Sequence, residues 1–315
     1  MTISSSSDMD RVAWKPGTRI QGKWNGHTYT IGQKLGEGAN GTVYLATNPQ
    51  GKKVAMKVAL DAVDLQSEVN AIQSLSQAKD KAKPFFLALY DVDDAQVGQT
   101  TWPFYTMPYF SGKPFSQFLR EKGWEWFGVV GFQVLQQLHS IHRQGYVFGD
   151  LKPHNILVEQ DGRCQLIDFG GVTPFGKGVK QFTEWYDRGF WNGGSRIADA
   201  SYDWFSFAAL AVHVFDPEEQ MKAWSRELPQ QRTEKWLQQR CTELPELKPF
   251  QSILKDMLTG NCHSPDKVLS DWEQVLHRHR QRRFSARPSI RWLNTAFLAA
   301  LLLFVSALWL VFYAA

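Results

Sequence analysis

Single apolar residues set among polar ones, with Lys23-Trp24-Asn25-Gly26 and then Tyr29-Thr30-Ile31, predict a hairpin-like lead into strands over Arg19 to Thr30, with Asn-Gly supplying the turn. A glycine-rich stretch, Leu35 to Val43, runs straight into the strand-like Val43-Tyr-Leu-Ala, and Val54-Ala-Met-Lys-Val58 is an apolar strand interrupted by one lysine. The period then becomes helical. Leu65, Val69, Ile72 and Leu75 recur on one face, with Glu68 close to it, and the short connection from Lys57 predicts a reduced first turn for this helix. Phe85 to Tyr90 and Thr101 to Tyr105 predict two further strands separated by a polar turn over Asp91 to Gln99. Phe104 to Gly112 passes from strand to a Pro- and Gly-marked connection, which is where two lobes should join.

Beyond Phe115 helical spacing dominates. Phe127 to Gly145 predicts a buried helix ending at that glycine. Tyr202 to Val212 is apolar on nearly every side and predicts a central buried helix, with Asp203 near its start placed to cap backbone N–H groups. Residues 214 to 276 predict amphipathic helices that close this second lobe. Leu293 to Tyr313 contains no charge over 21 positions, about 30 Å as a helix, which is enough to cross a bilayer.

Composition changes this picture in one place. Lysine and arginine number 35 against 31 acidic residues, a net charge of +4, but six arginines crowd together at 278, 280, 282, 283, 287 and 291, beside His277 and His279. Such a collar ahead of an apolar span keeps that flank in the cytoplasm by the positive-inside rule, and Trp292, Trp309 and Tyr313 lie where aromatic belts form. The expected arrangement is a single-pass membrane protein with a C-terminal tail anchor and everything ahead of it in the cytoplasm. The collar would meet anionic lipid, with DNA phosphates as a further partner for Arg278 to Arg291. Three well-separated cysteines make neither a disulfide framework nor a zinc site. Met1 to Asp10 is serine-rich with no apolar run, so it predicts a disordered lead-in rather than a signal peptide.

The candidate chemistry lies in Tyr146-Val-Phe-Gly-Asp-Leu-Lys-Pro-His-Asn-Ile-Leu-Val158 and Leu166-Ile-Asp-Phe-Gly170. An Asp followed by Lys at two and Asn at five residues, then by Asp-Phe-Gly, has the spacing of a phosphoryl-transfer site. The four residues are Asp150, Lys152, Asn155 and Asp168. Moving a γ-phosphoryl group requires a base, a phosphate-holding cation and metal ligands, because such catalysis is mostly positioning and charge neutralisation. Gly36, Gly38 and Gly41 between two strands suit a flap over phosphates. Lys57 on its strand suits a phosphate clamp held by Glu68.

Taken together, residues from about 28 to 276 resemble the eukaryotic-like serine/threonine protein kinases. The resemblance implies an α+β fold, with a disordered lead-in (1–18), a β-rich N-lobe (19–109), a helical C-lobe (110–276), a basic segment (277–291) and a transmembrane helix (292–313). It implies ATP and Mg²⁺, or Mn²⁺, as cofactors and proteins bearing Ser or Thr as substrates, the chain itself included. Asp150 would be the base and Lys152 the γ-phosphate contact, with Asn155 and Asp168 holding the metal. ATP would be held by Gly36, Glu37, Gly38, Ala39, Asn40, Gly41, Val43, Ala55, Lys57, Glu68, Met107, Leu157 and the backbone of Pro108 and Phe110.

Two departures stand out. Phe148-Gly149 occupies the place of the usual His-Arg, so no arginine is present to bind an activation-loop phosphate, and the Phe148 ring fills the histidine's place. No Ala-Pro-Glu follows; Thr183 to Gly189 stands there, with nothing in the sequence to show its anchor. The stretches Lys23 to Gly26, Gly38 to Gly41, Phe148 to Pro153, Thr183 to Gly189 and Tyr202-Asp203, together with the C-terminal anchor, resemble the membrane-anchored kinases of sporulating Bacillus-type bacteria, which implies a bacterial cytoplasmic membrane as the location. That likeness implies a role in sporulation and genome integrity. A nucleotide-binding scaffold without activity and a small-molecule kinase are the alternatives.

Overall fold

A computed structural model describes residues 14–38, 40–76, 88–180, 183–216, 220–262, 264–285 and 291–313. Of the expected disordered lead-in, residues 1–13 lie outside them, but 14–18 are ordered against the first sheet, with Trp14 stacked on Tyr44 and the Gly17 N–H donating to the Ile31 carbonyl at 2.7 Å. Contacts divide the chain into a unit ending at Glu273 and a second unit from Gln274 onward.

The first unit begins with a six-stranded antiparallel sheet. Its strands are β1 (Arg19–Gln21), β2 (Thr28–Gly38), β3 (Gly41–Thr47), β4 (Lys53–Ala59), β5 (Asp91–Val97) and β6 (Thr100–Pro108), in the order β1-β2-β3-β4-β6-β5. Alternation drives the pairing, since Tyr29 and Ile31, Tyr44 and Ala46, and Val54, Met56 and Val58 all turn one side inward and pack with Phe104. The expected hairpin forms, with Arg19 opposite Thr30 and Gly26 at φ +70° in the turn. A bridge from Gly22 to Ala95, with Lys23 N–H donating to the Asp94 carbonyl at 2.8 Å, ties the first strand to the last and draws the sheet around its core.

The polar stretch from Asp91 is strand β5, not the expected turn, and Tyr90 and its two predecessors precede it as irregular chain; 77–87 lie outside the described residues. Hydropathy misleads here because the inward positions are Asp91, Asp93 and Ala95. Each carboxylate is met by donors from the β1–β2 hairpin. Asp91 accepts from Asn25 Nδ2 (2.5 Å) and Tyr29 Oη (2.8 Å) and contacts His27 Nδ1 (2.9 Å), and Asp93 accepts from the N–H groups of Trp24 (2.9 Å) and Asn25 (2.8 Å). Buried charge is tolerated only when so satisfied. Burial opposes ionisation of Asp91, but the donors outweigh it and hold the carboxyl below its ordinary range.

Helix α1 (Ala62–Ser76) follows β4 after two residues, and its first turn is complete, capped by Asp61, whose Oδ1 accepts from Val63 N–H at 2.5 Å. Leu65, Glu68, Val69, Ile72 and Leu75 form its buried face. The helical lobe contains α2 (Phe115–Lys122), α3 (Trp126–His142), α4 (Ala200–Phe215), α5 (Gln220–Trp224), α6 (Glu234–Glu243), α7 (Gln251–Thr259) and the start of α8 (Pro265–Ser285). α3 ends at His142, three residues short of Gly145, which takes φ +80° in the closing turn. α4 is the expected central helix, with Trp204, Phe205 and Phe207 buried. Trp272 of α8 stacks on Phe250 at 4.2 Å and donates to the Gly128 carbonyl at 2.9 Å, which fastens the part of α8 within the first unit to this lobe.

Two small antiparallel sheets carry the loops of the site: a three-stranded one in which β9 (Ile156–Val158) lies between β7 (Lys113–Pro114) and β10 (Cys164–Leu166), and a pair of β8 (Tyr146–Val147) with β11 (Thr173–Pro174). In the second unit, α9 (Arg291–Tyr313) contains one stretch, Thr295–Tyr313, long and apolar enough to span a membrane, none of it buried in protein. Of the collar, Arg278 is exposed and donates to Gln274 at 3.1 Å. The side chains of His279, Arg280, Arg282, Arg283 and Arg291, and all of Arg287, lie outside the described residues.

Candidate active site

The loop after β8 is shaped from below by α4. Asp203, fully buried, accepts from the N–H groups of Phe148 (2.8 Å) and Gly149 (3.0 Å), and its Oδ2 meets His142 Nε2 at 2.8 Å. It caps backbone N–H groups as expected, but those of the loop. The N-cap of α4 is instead Asp199, which accepts from Tyr202 N–H at 3.0 Å. A buried carboxylate with three partners leaves little freedom to the backbone just ahead of Asp150. Gly149 there has φ +85°, and a β-carbon on it would meet the Gly171 carbonyl oxygen at 2.4 Å. Phe148 is buried and its ring stands edge-on to Phe169 at 5.6 Å, joining this loop to the Asp168-Phe-Gly turn.

The Asp150 carboxylate is held at both oxygens. Oδ2 accepts from Lys152 Nζ at 2.6 Å and Oδ1 from Thr183 Oγ1 at 2.9 Å, while the Asp150 carbonyl accepts from Asn155 Nδ2 at 2.8 Å. Thr183 was absent from the sequence candidates. The one signal for it was its place at the head of the Thr183–Gly189 stretch.

The second cluster joins the lobes. Lys57 Nζ donates to Glu68 Oε2 at 2.6 Å and to Asp168 Oδ1 at 2.8 Å. Glu68 Oε1 accepts from Tyr105 Oη at 2.9 Å and Phe169 N–H at 3.1 Å, so both its oxygens are used. Burial disfavours the Lys57 charge, yet the carboxylates of Glu68 and Asp168 override it and raise the ammonium's pKa. Burial, with the Asp168 charge, pushes Glu68 upward. Its donors are an ammonium, a phenol and an N–H, and all of them suit the ionised form, so we take the pair as charged. Asp168 is lowered: burial opposes this, but Lys57, then Lys152 and the Gly170 N–H, outweigh it. Its backbone sits at φ 63°, a strained region for a side-chain-bearing residue that costs about 1 kcal/mol and persists because these contacts over-determine it.

Above these groups the flap forms as expected, with Gly38 opposite Gly41, Glu37 opposite Thr42 and Gly36 opposite Val43. Gly41 has φ +146°, and a β-carbon there would meet the Val58 carbonyl oxygen at 2.2 Å, so glycine alone lets the flap lie on β4. Val43 pairs with Lys57, Ala55 with Met107 and Val54 with Pro108, which brings the expected nucleotide-facing residues of the N-lobe onto adjoining strands. Phe110 follows in the connection, and Leu157 on β9 is half-buried in the other lobe. Ala39 lies outside the described residues. A cavity of about 140 Å³ between flap, α1 and the Asp168 turn is lined by Asn40, Lys57, Glu68, Gly170 and Lys180.

The segment after Gly171 is fastened by backbone bonds. Thr173 pairs with Val147, Gly178 bridges to Ile197, and the N–H groups of Gly176 and Val179 donate to the carbonyls of Ala198 and Arg196, each at 2.9 Å. The anchor missing from the sequence reading is a pair of Arg–Asp contacts. Arg188 makes a bidentate pair with Asp199 (2.9 and 2.8 Å), and Arg196 reaches the buried Asp187 at 2.6 Å, which also accepts from Tyr202 Oη at 3.0 Å.

A glycine flap over a lysine–glutamate pair, facing Asp-x-Lys-x-x-Asn and Asp-Phe-Gly, belongs to one class. The pattern described as "Protein kinase domain" matches residues 29–292, and the chain belongs to that family. Among its relatives, the serine/threonine-protein kinase YabT of Bacillus subtilis is 38% identical over 279 residues, covering 87% of this chain and 79% of that protein. The fold is also that of a ROP18 kinase domain solved with AMP-PNP and sucrose (TM-score 0.59, 20% identity, 87% of this chain and 89% of that one) and of vaccinia related kinase 3 (TM-score 0.64, 14% identity, 85% and 93%). The chain is an ATP-dependent serine/threonine protein kinase, and family membership implies a divalent metal.

Proposed function

We propose that this kinase works at the cytosolic face of a bacterial membrane, phosphorylating Ser and Thr of proteins and of itself, with Asp150 as the base. The observation that carries the reading is Asp150 held by Lys152 and Thr183, beside a Lys57 already paired with Glu68 and Asp168. Asp150 takes the proton of the acceptor hydroxyl as the hydroxyl oxygen bonds to the γ-phosphorus and the bond from that phosphorus to the β-phosphate oxygen breaks, releasing ADP, while Lys152 carries the charge of the transferred group. Lys57 clamps the α- and β-phosphates, with Glu68 keeping the ammonium in place. The backbone of Pro108 and Phe110 faces the adenine.

Asn155 and Asp168 would hold Mg²⁺. The donors fit, because Asn155 spends its NH₂ on the Asp150 carbonyl, turning its amide oxygen away as an acceptor, and Asp168 keeps one oxygen beyond the one Lys57 engages. Two hard oxygen donors suit an ion that retains waters and phosphate oxygens. When bound, it neutralises charge on the phosphates.

Thr295–Tyr313 supports the anchor, and the arginine collar supports contact with anionic lipid, with DNA as an added partner. Likeness to YabT supports a place in sporulation and DNA-related regulation. The test is to incubate the full chain in anionic vesicles with γ-³²P-ATP and identify the labelled amino acids. Phosphoserine or phosphothreonine is expected; label confined to tyrosine, or no label with DNA also present, would overturn the reading.

A further inference from the structure

Helix α1 reaches Lys57 through Glu68, whose Oε2 accepts from the Lys57 ammonium. The apolar residues of α1 hold its buried face, and a side-chain contact joins the helix to the segment that follows Asp168-Phe-Gly. Lys180 Nζ donates to Ser67 Oγ at 2.9 Å, one residue before Glu68 on the helix. The main chain at Lys180 is itself positioned, since its N–H lies 3.4 Å from Thr173 Oγ1 and the N–H of the preceding Val179 pairs with the Arg196 carbonyl. Asp64 lines the same cavity one turn earlier on α1, so the groups that α1 presents to the Lys180 ammonium are a hydroxyl and a carboxylate, with Glu68 already spent on Lys57, Tyr105 and Phe169.

Gly149 meanwhile leaves no cation ahead of Asp150 to receive a phosphate from the segment, and the backbone there admits none without moving Gly171. We infer that Lys180 is a positioning residue: through Ser67 it biases α1 into the placement in which Glu68 meets Lys57, doing with an unmodified ammonium what a loop phosphate would otherwise do. This rests on the proposed clamp role of Lys57 and Glu68. The contact is solvent-accessible, so its effect is a modest bias on a two-state helix and not an on–off switch.

A double-mutant cycle on the full chain in anionic vesicles tests it, with kcat/KM for ATP as the readout and thermal melting alongside. Lys180→Met and Ser67→Ala should each lower kcat/KM about threefold to fivefold, and the double variant should fall no further than either. Lys180→Arg should retain most of the activity, since it keeps charge and reach. Ser67→Asp should match or exceed the wild type at low salt and lose that gain in the Lys180→Met background or at about 1 M salt. Additive losses in the cycle, an inert Lys180→Met, or an equal effect of Ser67→Asp in both backgrounds would overturn the inference. Should Lys180→Met not fold, Ser67→Ala made alone and in Lys180→Arg decides: unchanged activity in both overturns it. An Asp150→Asn control reports separately on the kinase reading, because it abolishes transfer whatever Lys180 does.

Discussion

Gly149 and Gly171 approach so closely that a β-carbon on the first would lie 2.4 Å from the carbonyl oxygen of the second. The glycine is therefore a requirement of the backbone as well as the loss of an arginine. Gly149→Ala should destabilise the chain by about 2 kcal/mol, from the left-handed φ and the contact together, and lower kcat at least tenfold by shifting Asp150. Gly149→Arg should do the same and should not make activity depend on segment phosphorylation. Urea unfolding and initial rates of the full chain in detergent micelles check both.

Lys57→Met should lower kcat/KM about 100-fold, the order expected when one preorganised charge is removed from a phosphoryl-transfer site. Steady-state rates over an ATP series check it.

The bidentate pair of Arg188 with Asp199 replaces a missing anchor, and its geometry needs a planar fork. Arg188→Lys should cost about 2 kcal/mol of stability, and Asp199→Ala more, since that variant also loses the α4 cap. Denaturant midpoints measure both.

Asp91 is held below its ordinary pKa of 3.8 in the folded chain. The unfolded chain then binds the proton first as pH falls, so this stabilisation is present above about pH 4 and is lost as pH drops through the folded value. Asp91→Asn should lower the stability at pH 7, by about 2 kcal/mol for the lost charged acceptor, and the difference from wild type should be smaller at pH 3 than at pH 7. Unfolding series at the two pH values check the sign.

The line between what was legible and what was not follows from range. Asp150, Lys152, Asn155 and Asp168 lie within 19 residues at spacings set by one loop and one turn, and Lys57 interrupts an apolar strand, so local pattern exposed them. β5 was read as a turn because its inward residues are Asp91 and Asp93, whose donors arrive from the hairpin more than 60 residues earlier. The double duty of Asp150 with Thr183, and the Arg188–Asp199 anchor, depend on tertiary contacts between polar residues that carry no periodic signal. Asp203 looked like a helix cap because of its position; only folding shows that the N–H groups it accepts belong to residues 148 and 149.

The most direct test compares γ-³²P transfer by the wild-type full chain and by Asp150→Asn, in anionic vesicles with DNA present. The account predicts labelled Ser or Thr for the wild type, and a loss of about 1,000-fold or more for Asp150→Asn with ATP binding retained. Equal transfer by the two proteins, or signalling that needs ATP binding but survives the substitution, would contradict it.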